Sequence, residues 1–204
     1  MSDSLYEIFE NKKGRVIHKW IYAFDIYERY LAPWKNKKVT LLEIGVQNGG
    51  SLEMWREYLG PDSTIIGVDI NSNCQGAENT AENIHVRIGN ANNTQFLTEV
   101  VEQFGTIDIV IDDGSHADSD IKAAFDFLYP KLSADGFYLI EDIGSNGGGA
   151  NVLHQYNHKV FNAIKDTIAA SATCSVGFYP SVLVCERGTV NYTHKRHGDQ
   201  TPVG

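Results

Sequence analysis

Residues 39–59, VTLLEIGVQNGGSLEMWREYL, decide the fold class of this 204-residue chain. The apolar run VTLLEIG is typical of a short buried strand, and turn residues follow it. Apolar side chains then recur at helical spacing from Leu52 to Leu59, directly after Ser51, a favourable helix N-cap residue. The stretch therefore predicts a buried strand that passes through a glycine-rich turn into an amphipathic helix.

The same alternation continues along most of the chain. Strands are predicted over 39–45, 64–70, 84–89, 107–113, 136–143, 173–179 and 181–187, and helices over 18–31, 51–59, 94–104, 119–132 and 153–170. Such alternation requires right-handed crossovers and a parallel sheet that is covered on both faces. We therefore expect an α/β fold, doubly wound and Rossmann-like. Its mostly parallel, seven-stranded sheet gains one antiparallel strand from the C-terminal hairpin.

The length of the chain fits one domain over 1–204, with a helical cap over 1–36 and a polar tail over 188–204. A net charge of −9 argues against nucleic acid as a partner, because there is no basic face to release counterions. Three scattered cysteines are typical of a reduced, intracellular protein. No apolar leader and no run of membrane-spanning length is visible, so we expect a cytoplasmic protein without membrane contact.

Ligands of doubly wound sheets bind beyond the carboxyl ends of the strands, so these ends are where a site is expected. Gly45, Gly49 and Gly50 follow the first strand and permit close approach of a ligand to the backbone. Their spacing is not the dinucleotide pattern G-x-G-x-x-G, and Glu43 would repel a phosphate but attract an ammonium group. Asp69 ends the second strand, where an acidic residue binds ribose hydroxyls. The pattern favours nucleoside binding, although a tight turn alone would also explain the glycines.

The run IVIDDGSHADSD, 109–120, ends a buried strand in two adjacent carboxylates, Asp112 and Asp113. Like charges at one strand end repel, and their burial is costly unless something positive lies between them. A turn whose aspartates cap the next helix is the simpler alternative.

These motifs together resemble the class I S-adenosylmethionine-dependent methyltransferases. Within that class, the chain is most similar to metal-dependent sugar O-methyltransferases of the macrolide-antibiotic type and to their relatives near polysaccharide genes. The matching segments are LLEIGVQNGGSLEMW, GVDIN, IDIVIDDGSH and LYPKLSADGFYLIED, with KWIYAFDIYERY upstream. Gln47 replaces the second glycine of the usual E-x-G-x-G-x-G pattern. The glycine-rich run IGSNGGGANVL follows Asp142, where relatives often carry an aromatic segment.

The resemblance implies a role for each matching residue. Gly45, Gly50 and Ser51 would line the methionine part of the cofactor, Asp69 would bind the ribose, Gly89 and Asn90 would flank the adenine, Asp113, Glu141 and Asp142 would bind a divalent metal, and His116 would be the general base. Glu43 and Gly49 are also expected to bind the cofactor, because they belong to the glycine-rich loop pattern that follows the first strand. Trp20 or Tyr22, on the expected aromatic helix 18–31, would contact the cofactor, although core packing is the more usual role of such a stripe.

Strand geometry supports the metal site independently of the resemblance. The strands that end at Asp112–Asp113 and Glu141–Asp142 are neighbours in this type of sheet, about 4.8 Å apart. Four carboxylates therefore converge, and an oxygen-rich cluster suits Mg²⁺ or Mn²⁺. Adjacent strand residues face opposite ways, so we expect Asp112 to face the cofactor pocket.

Histidine has an unperturbed pKa of about 6.5, so His116 can accept the proton of a metal-held hydroxyl as its oxygen attacks the sulfonium methyl group. His154 and His158 lie four residues apart, a second candidate metal pair, but surface positions are the simpler interpretation for the other histidines.

The sequence thus predicts an O-methyltransferase that uses S-adenosylmethionine and Mg²⁺ or Mn²⁺. Its acceptor would carry adjacent hydroxyls on a sugar of a glycan, nucleotide sugar or natural product, and a homo-oligomer is conceivable. Three alternatives stay open: a catechol or phenolic acceptor, an NAD-linked oxidoreductase and a non-catalytic nucleoside-binding domain. The glycine spacing and Glu43 disfavour the second, and the intact set of acidic residues with His116 argues against the third.

Overall fold

The computed structural model describes residues 3–144 and 153–189. It contains a seven-stranded sheet in the order β3-β2-β1-β4-β5-β7-β6, in which β1 to β5 are parallel and β7 runs antiparallel to both of its neighbours. The strands are β1 Thr40–Ile44, β2 Thr64–Asp69, β3 Ile84–Ile88, β4 Ile107–Asp112, β5 Leu132–Ile140, β6 Thr173–Tyr179 and β7 Val182–Arg187. The helices are α1 Leu5–Asn11, α2 Ala23–Leu31, α3 Gly50–Leu59, α4 Thr94–Phe104, α5 Asp118–Leu128 and α6 Leu153–Ala170.

Alternating side chains of the central strands supply two cores, one on each face of the sheet. Leu41 of β1 and Ile109 of β4 face α1, α2 and α3, whereas Leu42 and Val110 face α4, α5 and α6. Because successive strand residues point to opposite faces, strands that are apolar throughout are the ones that both layers of helices can cover. The predicted doubly wound α/β fold is therefore confirmed, including the single antiparallel strand that the hairpin adds.

The strand order reverses between β1 and β4, since the chain leads from β1 outward to β3 and returns beside β1 with β4. In the register of the sheet, Ile44 pairs with Asp112 and Asp112 pairs with Ile140. The residues just after these three positions, Gly45, Asp113 and Glu141, therefore leave the sheet side by side at its carboxyl edge.

Three predicted elements have wrong boundaries, and one of them is the strand predicted over 136–143, which runs from Leu132 to Ile140 as β5. The helix predicted over 18–31 begins only at Ala23, and residues 17–20 form an irregular segment with a turn at 21–22. The helix predicted over 119–132 ends at Leu128, because Pro130 cannot supply a helical N–H donor, and β5 already starts at Leu132. The short helix α1 escaped the sequence analysis, although Ser4 and Glu7 form a capping box there.

The domain limits stay a prediction. Helices α1 and α2 share one hydrophobic core with α3 and the sheet, as expected for a cap over 1–36 within a single domain. Only the first two residues of the predicted tail 188–204 belong to the described part of the chain, and most of the glycine-rich run IGSNGGGANVL lies outside it. Among the described residues, no helix has both the length and the apolar character needed to cross a bilayer.

Candidate active site at the carboxyl edge of the sheet

A cavity of about 570 Å³ opens at the switch point between β1 and β4. Its volume lies in the range that is typical of small-molecule sites. Eight of the residues singled out in the sequence line it: Gly45, Asp69, Gly89, Asn90, Asp112, Asp113, His116 and Asp142. The structure therefore brings the predicted nucleoside-binding residues and most of the predicted acidic residues to one space.

Asp69, at the end of β2, is held as an ionised acceptor beside this cavity. Its Oδ2 accepts hydrogen bonds from the backbone N–H groups of Val46 at 2.8 Å and Gln47 at 3.2 Å, and its Oδ1 accepts one from Asn71 at 2.8 Å. Partial burial opposes ionisation, but these N–H donors lower the pKa of Asp69 below its usual value. A fixed carboxylate at this point can accept hydrogen bonds from a ribose.

Gly45 sets the distance between the β1 and β4 loops. It has φ +94°, and a Cβ atom built on it would lie 2.1 Å from the backbone oxygen of Asp113. Only glycine permits this approach, because the neighbour is backbone and cannot turn aside. Gly45 thereby fixes the position of Asp113, one of the predicted metal ligands.

The other two loop glycines have a packing role in the structure. A Cβ on Gly49 would lie 2.3 Å from the Cβ of Ala77, and one on Gly50 would lie 2.4 Å from the backbone oxygen of Val16. The segment that contains Val16 thus covers the N-terminus of α3. Neither glycine lines the cavity, so their predicted contact with the cofactor stays a prediction.

Glu43 and Ser51 also lie behind the cavity wall. Both are buried, and the Ser51 hydroxyl donates a hydrogen bond of 2.6 Å to Glu43 Oε2. Burial raises the pKa of Glu43, while the Lys19 ammonium and the Ser51 hydroxyl oppose that rise. The structure does not place either side chain where it would touch a ligand in the cavity, and their assignment to the cofactor stays a prediction.

At the other end of the cavity, Asp113, His116 and Asp142 form a cluster. One potential ligand atom from each residue lies within 4.8 Å of the other two, and all three residues are partly buried. His116 and Asp142 have φ values of 57° and 52°, a left-handed conformation that is uncommon outside glycine and that concentrates at functional sites. The two carboxylates are oxygen donors of the kind that Mg²⁺ and Mn²⁺ prefer, and the imidazole lies beside them.

Burial and like charge act together on the acids around this cluster. Burial raises the pKa of Asp142, and the neighbouring charge of Asp113 adds to that rise. Asp112 is more deeply buried, and its pKa rises to about 6 although Tyr138 donates a hydrogen bond of 2.8 Å to it. A cation at this end of the cavity would stabilise the ionised forms of these acids.

Glu141, the third metal ligand implied by the resemblance, belongs to a neighbouring buried network. Its Oε1 accepts a hydrogen bond of 3.0 Å from Lys19 Nζ, and its Oε2 accepts one of 2.6 Å from Tyr27. Burial raises the pKa of Glu141 to about 8, against the opposing effect of the Lys19 ammonium. Its role as a metal ligand stays a prediction, because both oxygens already have partners in this structure.

Sequence reasoning missed His18 and Lys19, in the segment that precedes α2. His18 lines the cavity, although a surface position was expected for it. The side chain of Lys19 reaches the buried acids. The misplaced start of the helix concealed both residues, because residues in a helix and in an irregular segment point in different directions. Trp20, which was expected to contact the cofactor, lies beside Asp142 and opposes the rise in the pKa of that carboxyl. The proposed pair His154 and His158 cannot be compared, since the His154 side chain lies outside the described residues.

Comparison with known proteins places this geometry in a family. A family model described as a methyltransferase domain matches residues 42–143. The chain is 36% identical over 124 residues to the 8-demethyl-8-alpha-L-rhamnosyl tetracenomycin-C 2'-O-methyltransferase of Streptomyces olivaceus, covering 57% of this chain and 32% of that protein. It is equally identical over 124 residues to the mycinamicin VI 2''-O-methyltransferase of Micromonospora griseorubida, covering 57% of this chain and 30% of that one.

The fold agrees with a solved relative. The MycE methyltransferase from the mycinamycin biosynthetic pathway, determined in complex with Mg and SAH, superposes with a TM-score of 0.76 at 26% identity. The match covers 96% of this chain and 58% of that one. The chain thus spans about a third of the length of the curated relatives it matches and somewhat more than half of the solved one.

Proposed function

The chain belongs to the methyltransferase-domain family, and we propose that it transfers the methyl group of S-adenosylmethionine to a sugar hydroxyl with the help of Mg²⁺ or Mn²⁺. One observation carries the proposal. A single cavity has nucleoside-binding features at one end, around Asp69, and the cluster of Asp113, His116 and Asp142 at the other. A methyl donor and a metal-held acceptor could therefore meet within it.

The cofactor would lie with its adenosine part toward β2 and β3. Asp69 would accept hydrogen bonds from the ribose hydroxyls, and Gly89 and Asn90 would flank the adenine. A Cβ on Gly89 would lie 2.4 Å from the ring of Phe96, so the glycine keeps the backbone close to that side chain at the cavity edge. Asp112, which also lines the cavity, would face the methionine part.

Asp113 and Asp142 would hold the metal ion. A divalent ion at that point lowers the pKa of a bound hydroxyl, as metal ions do for bound water. The Nε2 atom of His116 lies 3.9 Å from Asp113 Oδ1, close enough to take the proton from an acceptor held there. For Glu141 to serve as a third ligand, an oxygen now bonded to Lys19 or Tyr27 must turn toward the ion.

The acceptor would approach past Trp20, whose side chain is 58% exposed beside Asp142. Trp20 and Tyr22 stack with ring centroids 6.2 Å apart, and Ile21 between them is also exposed. Exposed apolar groups beside a polar cavity mark binding sites, and the aliphatic face of a sugar ring packs well on an aromatic ring. The name of the tetracenomycin relative, a 2'-O-methyltransferase of a rhamnosyl compound, supports a sugar as the acceptor.

The setting of the reaction is part of the proposal. We place it in the cytoplasm, which the three free cysteines Cys74, Cys174 and Cys185 support. The net charge of −9 supports a small-molecule or glycan acceptor rather than a nucleic acid.

The test is transfer of labelled methyl from S-adenosylmethionine, with Mg²⁺, to rhamnosyl glycosides and to catechols. The proposal predicts label on a sugar hydroxyl and loss of transfer when the metal is chelated. Label on catechol instead would replace the sugar by a phenolic acceptor, and no transfer together with no binding of S-adenosylhomocysteine would refute the proposal. His116→Gln shows whether His116 is a general base or a metal ligand. If it is the general base, the variant loses methyl transfer but keeps its Mn²⁺ affinity. If it is a ligand, both methyl transfer and Mn²⁺ affinity fall.

A further inference from the structure

Lys19 is a nearly inaccessible lysine surrounded by acids from three neighbouring strands. Its side chain is 2% exposed, and Nζ lies 2.7 Å from Asp113 Oδ2, 3.0 Å from Glu141 Oε1 and 3.2 Å from Glu43 Oε1. The rings of Tyr27 and Trp55 flank the ammonium group at 6.0 Å and 5.7 Å. A single positive charge thus stands where the carboxyl ends of β1, β4 and β5 meet.

The two deeper acids have further partners that keep them in place. Ser51 donates to the second oxygen of Glu43, and Tyr27 donates to the second oxygen of Glu141, each at 2.6 Å. Their side chains are 0% and 5% exposed, so both are enclosed by protein. Lys19 and these hydroxyl groups together hold both carboxylates behind the cavity wall.

Asp113 differs, because it belongs to both groups of acids. Its Oδ2 accepts the hydrogen bond from Lys19, whereas its Oδ1 faces His116 in the cluster with Asp142. With 21% of its side chain exposed, it is also the one of the three acids around Lys19 that has room to move. Its orientation toward the cluster therefore depends on the lysine.

We propose that Lys19 is a positioning residue for the metal site. It fixes the Asp113 carboxylate so that Oδ1 is presented to the ion, and its ammonium group balances the charge of the buried Glu43 and Glu141. Outer groups that orient metal ligands typically change metal affinity by about 10–100-fold when they are removed. This inference rests on the proposed function only in taking Asp113, His116 and Asp142 as the metal site.

Two effects of removing Lys19 oppose each other, which makes the experiment decisive. An ammonium group repels a divalent ion, so charge alone predicts tighter metal binding without it. Without the lysine, however, three carboxylates face one another with no cation between them, and Asp113 is the acid that can swing away. The positioning role therefore predicts weaker binding.

The test is Mn²⁺ titration by electron paramagnetic resonance on wild type, Lys19→Met and Lys122→Met, each saturated with S-adenosylhomocysteine. We expect Lys19→Met to weaken Mn²⁺ binding by about 10–100-fold. Lys122→Met removes a lysine charge from an exposed pair with Asp126 on α5 and should leave the affinity unchanged. Affinity in Lys19→Met that is equal to or tighter than that of wild type would overturn the inference. A wild type that binds no Mn²⁺ would overturn the proposed metal site and this inference with it.

Two further measurements keep the inference testable if Lys19→Met folds poorly. In Lys19→Ala, propylammonium ions should restore part of the lost Mn²⁺ affinity, and propanol, of similar size but uncharged, should not. In the wild type, the slowly exchanging ammonium protons of Lys19 should remain visible by nuclear magnetic resonance at saturating Mg²⁺. Disappearance of that signal would show that the metal displaces the lysine, which contradicts a positioning role.

Discussion

Replacement of Gly45 by alanine should destabilise the fold and disable the metal site together. The φ of +94° costs an alanine about 1–2 kcal/mol, the usual penalty of left-handed backbone. The added Cβ would also lie 2.1 Å from the backbone oxygen of Asp113, and overpacking of this kind costs about 1–3 kcal/mol more. We therefore expect a loss of about 2–5 kcal/mol, a large share of the stability of an ordinary domain.

Gly105 provides the matched control, because it has φ +78° at the end of α4 and nothing within 4 Å of a built Cβ. Gly105→Ala should lose only the backbone part, about 1–3 kcal/mol for a conformation that is nearly restricted to glycine. Stability is measured by urea unfolding of both variants, and the comparison is valid when the free energy of unfolding falls with urea concentration at the same rate in each. The Mn²⁺ affinity of both variants is measured alongside. Gly45→Ala should bind Mn²⁺ at least about tenfold more weakly, because Asp113 must shift, and Gly105→Ala should bind like wild type. Equal destabilisation of the two variants, or wild-type Mn²⁺ affinity in Gly45→Ala, would refute the reasoning.

Three further variants test the contacts around the cavity. Tyr27→Phe leaves a buried oxygen of Glu141 without its donor, so thermal unfolding should show a loss of about 1.5–3 kcal/mol, and an unchanged melting temperature would count against that hydrogen bond. Asp69→Asn should lose stability at neutral pH. Because folding lowers the pKa of Asp69, the stability difference from wild type is fully present above the ordinary pKa of 3.8 and should vanish as the pH falls through the lower folded-state value. Denaturant titration from pH 7 to acid checks this, and a stability difference that stays constant with pH would contradict it. Trp20→Ala should raise the acceptor KM about 3–10-fold with unchanged affinity for S-adenosylhomocysteine, whereas a loss of cofactor affinity would place Trp20 on the cofactor instead.

The fold could be predicted because the residue pattern of each buried strand depends on whether one or both of its faces are covered. Strands covered on both faces are apolar throughout, as in β1 and β4, and the helices between them repeat apolar residues at helical spacing. The order of these elements then leaves few topologies. The start of α2 could not be predicted in the same way, because the aromatic pattern of 18–31 continues through a segment that is held by contacts with the sheet edge rather than by helical hydrogen bonds.

The site could be predicted where its residues follow strands directly. Asp69, Asp113 and Asp142 are brought to the cavity by sheet geometry that the sequence already implies. The roles of Lys19 and Gly50 depend on contacts between segments far apart in the chain, which no local pattern records. A single sequence cannot show whether a glycine packs closely against a ligand or, as Gly50 does, against the backbone of Val16.

Calorimetric titration with S-adenosylhomocysteine, with and without Mg²⁺, on wild type and Asp113→Ala is the decisive measurement. We place the cofactor at the Asp69 end of the cavity and the metal at the Asp113 end. We therefore expect micromolar binding of S-adenosylhomocysteine to both proteins, and a heat of Mg²⁺ binding that only the wild type shows. Absence of S-adenosylhomocysteine binding to the wild type, or Mg²⁺ binding that is unaffected by Asp113→Ala, would contradict this placement.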